Sequence, residues 1–412
     1  MATAYNSKRK KKKLSDIPRI VPKAKDSEDK GLFAKGGFDI IFLLLVCVLL
    51  TIGIVMMFSA SYISAKNSAS AQYDAYYYLK RQGLFAVLGI IAMLVVSKVN
   101  YNVMRKLAPA FFVISILLLL WVLVDPAKVE GKEQFKRWLE IPLIGFRFQP
   151  SEVAKFGLII TLAWSFERHR KFLEERKWFT TAAYFGIVIV FAALVYLEDH
   201  LSGAILMLGI GLIMCFLGGL DWKIYALGAI VAVIGVVIVV SSPETFLKGY
   251  MAERINSWLV KDYTDLDARY QTNQSLFALG SGGFFGLGLG NSKQKYLYLP
   301  EPQNDLIFAF VGVELVFIGC AFIDVLFALL VWRGFAIAMK SRSVFGRLLV
   351  MGIVIQIGLQ SILNILVVTD MMPNTGISLP FFSYGGSSLV MLLAEMGVVL
   401  SVSRNSRISK KN

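Results

Sequence analysis

Residues 296–315 read Tyr-Leu-Tyr-Leu-Pro-Glu-Pro-Gln-Asn-Asp-Leu-Ile-Phe-Ala-Phe-Val-Gly-Val-Glu-Leu. The Pro300-Glu-Pro302 turn delivers Asp305 to the first turn of a long apolar run, and Glu314 follows nine residues deeper. A carboxylate at the mouth of an apolar helix is expensive unless it is solvated, paired or used. Three roles fit it: a catalytic base, an ion-coupling carboxylate, or an N-terminal helix cap, for which aspartate is well suited.

A second pair opens another apolar run. In Phe148-Gln-Pro-Ser-Glu-Val-Ala-Lys155, Pro150 suits a helix first turn, and Gln149 or Ser151 can cap it. Glu152 and Lys155 stand three apart, on one helix face, where they can pair. They serve either as a structural ion pair or to tune a nearby site. Gln356, Gln360 and Asn364, spaced four and four, form one polar stripe that suits interhelical hydrogen bonds or a cavity wall. Asp324 and Glu395 are further carboxylates within apolar runs.

Other chemistries lack their residues. The glycines of 280–290 are followed by no Gly-Lys-Ser/Thr and no acidic partner helix, so they are not a nucleotide cradle. Gly376-Ile-Ser-Leu-Pro-Phe-Phe-Ser-Tyr-Gly-Gly-Ser-Ser388 lacks the elbow of a serine hydrolase. With two histidines and three cysteines, all of the latter in apolar runs, no metal motif is expected.

The elements that must position these groups are membrane helices. The 412 residues are 56% hydrophobic and 17% charged, and a helix needs about 20 apolar residues to span the hydrocarbon core. Ten runs qualify: 38–60, 79–97, 107–125, 149–166, 179–197, 201–218, 222–241, 306–332, 346–369 and 384–403. The expected fold is therefore an all-α polytopic membrane protein of about ten transmembrane helices. With the N-terminus inside, 28 of the 43 Lys and Arg residues fall on the inner side. The positive-inside rule then places both termini in the cytoplasm and Asp305 outside. A large outer loop, 242–305, lies between the seventh and eighth runs and is expected to be ordered.

The basic tail 1–37 reads as disordered, and 405–412 as a short second tail. The net charge of +15 resides largely in that tail and suits anionic lipid head groups rather than nucleic acid.

From about residue 38 to 404 the chain resembles the SEDS (shape, elongation, division, sporulation) family of bacterial membrane proteins. The resemblance rests on four blocks in order: Phe148-Gln-Pro-Ser-Glu152; Gly282-Gly283 with Gly288-Leu-Gly290; Leu299-Pro-Glu with Asp305 before Ile307-Phe308-Ala309; and Leu379 to Ser388. The stretch Gly288 to Glu301 is more similar to the division branch than to the elongation branch. Gln303-Asn304-Asp305-Leu306, Val313-Glu314-Leu315 and Glu198-Asp199-His200 depart from the usual family wording.

What the resemblance implies is a peptidoglycan glycosyltransferase that polymerises lipid II on the outer face of the membrane at division. Asp305 matches the required carboxylate, and Glu152 and Lys155 match the fourth-helix pair. Arg254, Trp258, Gln274, Ser275 and Ser281 match positions of the large outer loop. By sidedness, Arg137 and Arg147 join Lys155 and Arg254 as candidates to hold diphosphate. A divalent cation (Mg or Mn) is an expected helper without a motif. A class B penicillin-binding protein transpeptidase is the expected partner, beside other division proteins, and the bacterial plasma membrane at the septum the expected location. Two rival functions are a flippase for the lipid-linked precursor and a non-enzymatic division scaffold. A flippase calls for polar residues through the full depth of several helices, whereas here they crowd the outer half.

Overall fold

In the computed structural model, residues 31–34, 36–127, 137–141, 146–170, 177–220, 222–242, 245, 250–260, 266–282, 288, 303–374 and 376–407 are described. The Pro300-Glu-Pro302 turn, most of the glycine run and the Lys-rich stretch Lys8–Lys13 lie outside them.

Each of the ten apolar runs is helical. They are α1 (Ile40–Lys66), α2 (Tyr77–Lys98), α3 (Tyr101–Val124), α4 (Pro150–Arg168), α5 (Lys177–Leu197), α6 (Leu201–Leu217), α7 (Trp222–Ser241), α10 (Ile307–Glu314) with α11 (Val316–Met339), α12 (Val344–Val368) and α13 (Gly386–Arg407). Within the large loop two helices are described, α8 (Tyr250–Val260) and α9 (Leu266–Gly282). A short antiparallel hairpin, β1 (Leu139–Ile141) with β2 (Phe146–Phe148), precedes α4.

Among the described residues, seven helices are long and apolar enough to cross a membrane. α4 carries its ion pair and α6 has only 17 residues. This is a polytopic helical membrane protein.

Local chemistry sets the boundaries. Asp39 caps α1 by accepting from the Phe42 amide at 3.0 Å, and Ser343 caps α12 by accepting from Gly346 at 2.9 Å. Pro150 stands at the first position of α4, as its fixed φ favours. Gln149 holds the N-cap place there but makes no side-chain capping bond, and the buried Ser151 hydroxyl has no hydrogen-bond partner.

Burial separates centre from periphery. Two-thirds of the apolar windows of α12 and α13 are buried, against 22% for α2 and α3. The outward faces of the latter two, Leu84, Val87, Leu88 and Ile91 on α2 for example, present apolar side chains where lipid would lie. α13 lies along α2, α3 along α4, α5 along α6, and α12 packs on both α11 and α4. Glycines allow the closest approaches: a Cβ on Gly53 of α1 would collide with the Phe381 carbonyl.

Three boundaries differ from expectation. The eighth run divides into two helices at Leu315. α10 ends at Glu314 and α11 begins at Val316, and all eight residues of α10 are buried. The break follows a buried carboxylate held by Ser59 of α1, whose hydroxyl lies 2.8 Å from both Glu314 oxygens.

The tail is docked from residue 31. Phe33 pairs with Val99, Ala34 donates to Lys98 O at 2.8 Å, and the Asn100 amide donates to Leu32 O at 2.9 Å. Finally, the last helix runs on to Arg407 rather than ending near 403.

The first and last described segments meet at one end of the bundle. The Asp39 amide donates to Ser403 Oγ, Arg404 donates to Gly36 O, and Arg333 makes a two-pronged bridge to Asp39 at 3.0 and 2.8 Å. The far end carries the candidate site.

Candidate functional site

Asp305 sits in the turn 303–306, half-buried. The N-cap of α10 is Leu306, one residue beyond it, and Leu306 makes no side-chain cap bond. Asp305 thus precedes the helix rather than occupying its first turn. Two neighbours fix the turn. Asn364, near the C-terminal end of α12, donates its amide to the Asp305 carbonyl at 2.7 Å and to Ile377 O at 2.6 Å. The Tyr384 amide donates to Gln303 O at 2.7 Å. The carboxylate itself faces Gly376: a Cβ placed there would lie 3.3 Å from Asp305 Oδ2, and Gly376 has φ +76°. Glycine alone accepts that backbone freely and leaves the carboxylate its space.

The second pair reaches the same helix. Lys155 Nζ lies 2.9 Å from Glu152 Oε1 and donates to Gln360 Oε1 at 3.4 Å. Lys155 is buried, and Glu152 retains a little exposure. Gln360 in turn donates to Ser378 O at 2.9 Å and Ser378 Oγ at 3.0 Å.

Gln360 and Asn364 are one helical turn apart, about 6 Å of rise. They bind consecutive residues, Ser378 and Ile377, of one loop. The ion pair and the Asp305 turn are therefore held on a common frame, built by α12 and the loop 376–385. Gln356 continues the stripe inward and donates to Glu395 Oε2 of α13 at 2.9 Å. The three polar positions serve as inter-element hydrogen-bond donors, each with a named acceptor.

The remaining candidates divide. Arg254 donates to Asn374 O at 3.2 Å and Gln271 Oε1 at 3.4 Å, the Trp258 indole donates to Asp370 O at 3.1 Å, and the buried Ser275 donates to Val368 O at 3.2 Å. These three fasten α8 and α9 to the C-terminal end of α12 and the segment that follows it. Gln274 is half-buried on α9, and Ser281 donates to Ala278 O of its own helix.

Arg147 is exposed and pairs with Glu140, its cross-strand neighbour, at 2.7 Å. It braces the hairpin and is not part of the Asp305 frame. Arg137 donates to the Asp199 carbonyl, at the turn between α5 and α6.

That turn was not singled out for chemistry in the sequence. Glu198 is fully buried with neither carboxyl oxygen hydrogen-bonded, Asp199 has φ +57°, and His200 Nδ1 lies 3.2 Å from Gln149 Nε2. Burial pushes the Glu198 carboxyl up to about 8, against the opposing charge of Arg137. Burial, with Arg137 and Lys155 nearby, holds His200 well below its ordinary value, so the ring is neutral at pH 7. The signal in the sequence was the run Glu198-Asp199-His200 itself, three titratable residues at a tight turn.

Among the described residues, no three of His, Cys, Asp and Glu cluster as a metal-binding set.

A carboxylate at the end of a helical bundle, framed by a buried Lys–Glu pair, defines a membrane-embedded protein with a polar site at the bundle end away from its termini. The family profile described as "Cell cycle protein", that of FtsW, RodA and SpoVE, matches residues 40–408. The chain belongs to this family. It is 40% identical over 374 residues to a protein of Geobacter sp. (strain M18) named "Probable peptidoglycan glycosyltransferase FtsW", covering 90% of this chain and 98% of that one. It is 38% identical over 376 residues to "Stage V sporulation protein E" of Bacillus subtilis (strain 168), covering 90% and 98%. Among solved structures, a chain described under "Structural coordination of polymerization and crosslinking by a peptidoglycan synthase complex" superposes with a TM-score of 0.71. The two are 27% identical, with 90% of this chain and 98% of that one covered.

Proposed function

We infer that the chain is a peptidoglycan glycosyltransferase that joins lipid II units into glycan strands at the outer surface of the membrane. The observation that carries this reading is the placement of Asp305: a half-buried carboxylate whose backbone Asn364 pins at 2.7 Å, beside a glycine that leaves it room. The family and the named relatives support the activity.

In this reading the polyprenyl chain lies in lipid along the outer faces of the helices, and the diphosphate sits at the mouth of the bundle. Asp305 takes the proton from the acceptor sugar hydroxyl as that oxygen attacks the anomeric carbon of the second substrate. The bond from that carbon to the diphosphate oxygen breaks, and the diphosphate leaves with the electron pair. General-base assistance of this kind is worth roughly 10²–10⁴-fold. Arg137, which donates to the Asp199 carbonyl, and the buried Lys155 are candidates to meet the departing charge.

Outward orientation of Asp305 follows from the excess of Lys and Arg at the opposite end. The solved relative is described as part of a complex coordinating polymerization with crosslinking. The expected partner is accordingly a class B penicillin-binding protein, at the septum.

Purified protein given labelled lipid II tests the reading. Glycan strands are expected on gels. Translocation of lipid II in sealed vesicles without polymer would favour the flippase, and neither activity would favour the scaffold.

A further inference from the structure

Arg269 of α9 is the largest fully buried side chain among the described residues, at 2% exposure. An arginine is rarely buried to that degree unless its charge and donors are met. Its guanidinium bridges two elements, donating to Ser257 O of α8 at 2.6 Å and to Asp370 Oδ2 at 2.8 Å in the turn after α12. Asp370 has φ +56°, a left-handed conformation uncommon for a non-glycine residue, and its carbonyl also receives the Trp258 indole.

Four residues on, Asn374 receives Arg254 at its carbonyl and donates its amide to Gln271 at 3.3 Å. Two residues further stands Gly376, against the Asp305 carboxylate. The short segment from Asp370 to Gly376 thus has its far end at the carboxylate and its near end in the grip of α8 and α9.

We propose that Arg269 and Asp370 are positioning residues for Asp305: their buried bridge locks the outer helices α8 and α9 to the segment that forms the Gly376 wall of the Asp305 site. The inference rests on the glycosyltransferase reading only for its catalytic readout. A misplacement of about 1 Å at a reacting group costs on the order of 10²-fold, so a loosened wall is read as lost turnover.

The test uses the full chain purified in detergent, with Arg269→Lys, Asp370→Asn, Gly376→Ala and the double variant Asp370→Asn/Gly376→Ala. Arg269→Lys keeps the charge but cannot bridge both acceptors with a planar fork. It and Asp370→Asn are expected to lower kcat for polymerisation on the order of 10–100-fold, with KM for lipid II changed far less. Because both act on one wall, the double variant should lose less than the product of the single losses. Faster amide hydrogen exchange at 376–379 in Arg269→Lys is expected whether or not catalysis is measured.

Trp258→Phe removes one bond to Asp370 and leaves the buried pair. It provides a milder loss in the same direction if the charge variants do not fold. Wild-type kcat and exchange in the folded variants, or strictly multiplicative losses in the double, would overturn the clamp. An inactive wild type with accelerated exchange in the variants would instead refute the catalytic reading and leave the clamp standing.

Discussion

Replacing Glu152 by glutamine and Lys155 by methionine, singly and together, measures what the buried pair is worth. Lys155 lies 2.9 Å from Glu152, at side-chain exposures of 5% and 14%. Removing one partner of a fully buried pair costs about 3–5 kcal/mol, because the other charge is left uncompensated. Neither single change reaches that limit here. Without Glu152, Lys155 keeps its hydrogen bond to Gln360 at 3.4 Å. Without Lys155, Glu152 can turn toward water at the bundle mouth.

Each single change should therefore cost about 1.5–3 kcal/mol, the range for a hydrogen bond to a charged group. The double variant should cost less than the sum, by a coupling of about 1–3 kcal/mol. Equilibrium unfolding of the purified variants in mixed micelles reads these values, with polymerisation assayed alongside. A coupling near zero would show that the two side chains act independently. In that case the buried pair would contribute nothing as a pair.

Other perturbations probe separate parts of the structure. Gly53→Ala drives a Cβ into the Phe381 carbonyl and should destabilise the chain by about 1–3 kcal/mol; an unchanged unfolding midpoint would contradict that close approach. At Glu198 the folded carboxyl is raised from 4.5 to about 8, so the folded chain retains a proton that the unfolded chain releases. Stability should fall as pH rises from 4.5 to 8 and level off above, a slope that Glu198→Gln should reduce; parallel curves for the two proteins would refute the burial. A reporter active only in the cytoplasm should give signal when fused after residue 412 and stay dark when inserted near residue 265, and a bright signal at 265 would overturn the outward orientation.

Much of this architecture was legible because hydropathy is read over long windows. Each apolar run became a helix, and the short i, i+3 spacing of Glu152 and Lys155 was enough to pair them. The stripe Gln356, Gln360 and Asn364 announced its face, but not its acceptors, since Ile377, Ser378 and Glu395 come from elsewhere in the chain.

What stayed hidden was long-range. The buried Glu314 is held by Ser59, 255 residues away, and the buried Arg269 by Asp370, 101 residues away. No local pattern encodes either contact. The pairing of Arg147 with Glu140 was equally hidden, because the hairpin that sets the two side chains opposite each other shows no periodic pattern in so short a stretch.

Asp305→Asn is the most direct test of the account. Asparagine keeps the shape and leaves the backbone carbonyl that Asn364 binds at 2.7 Å untouched, yet it cannot take up a proton at neutral pH. Purified Asp305→Asn should fold with wild-type thermal stability, retain its partner, and form no glycan strands from labelled lipid II. Asp305→Glu, with the base at a longer reach, should keep a trace of activity. Near-normal polymerisation by the asparagine variant would contradict the assignment of Asp305 as the base.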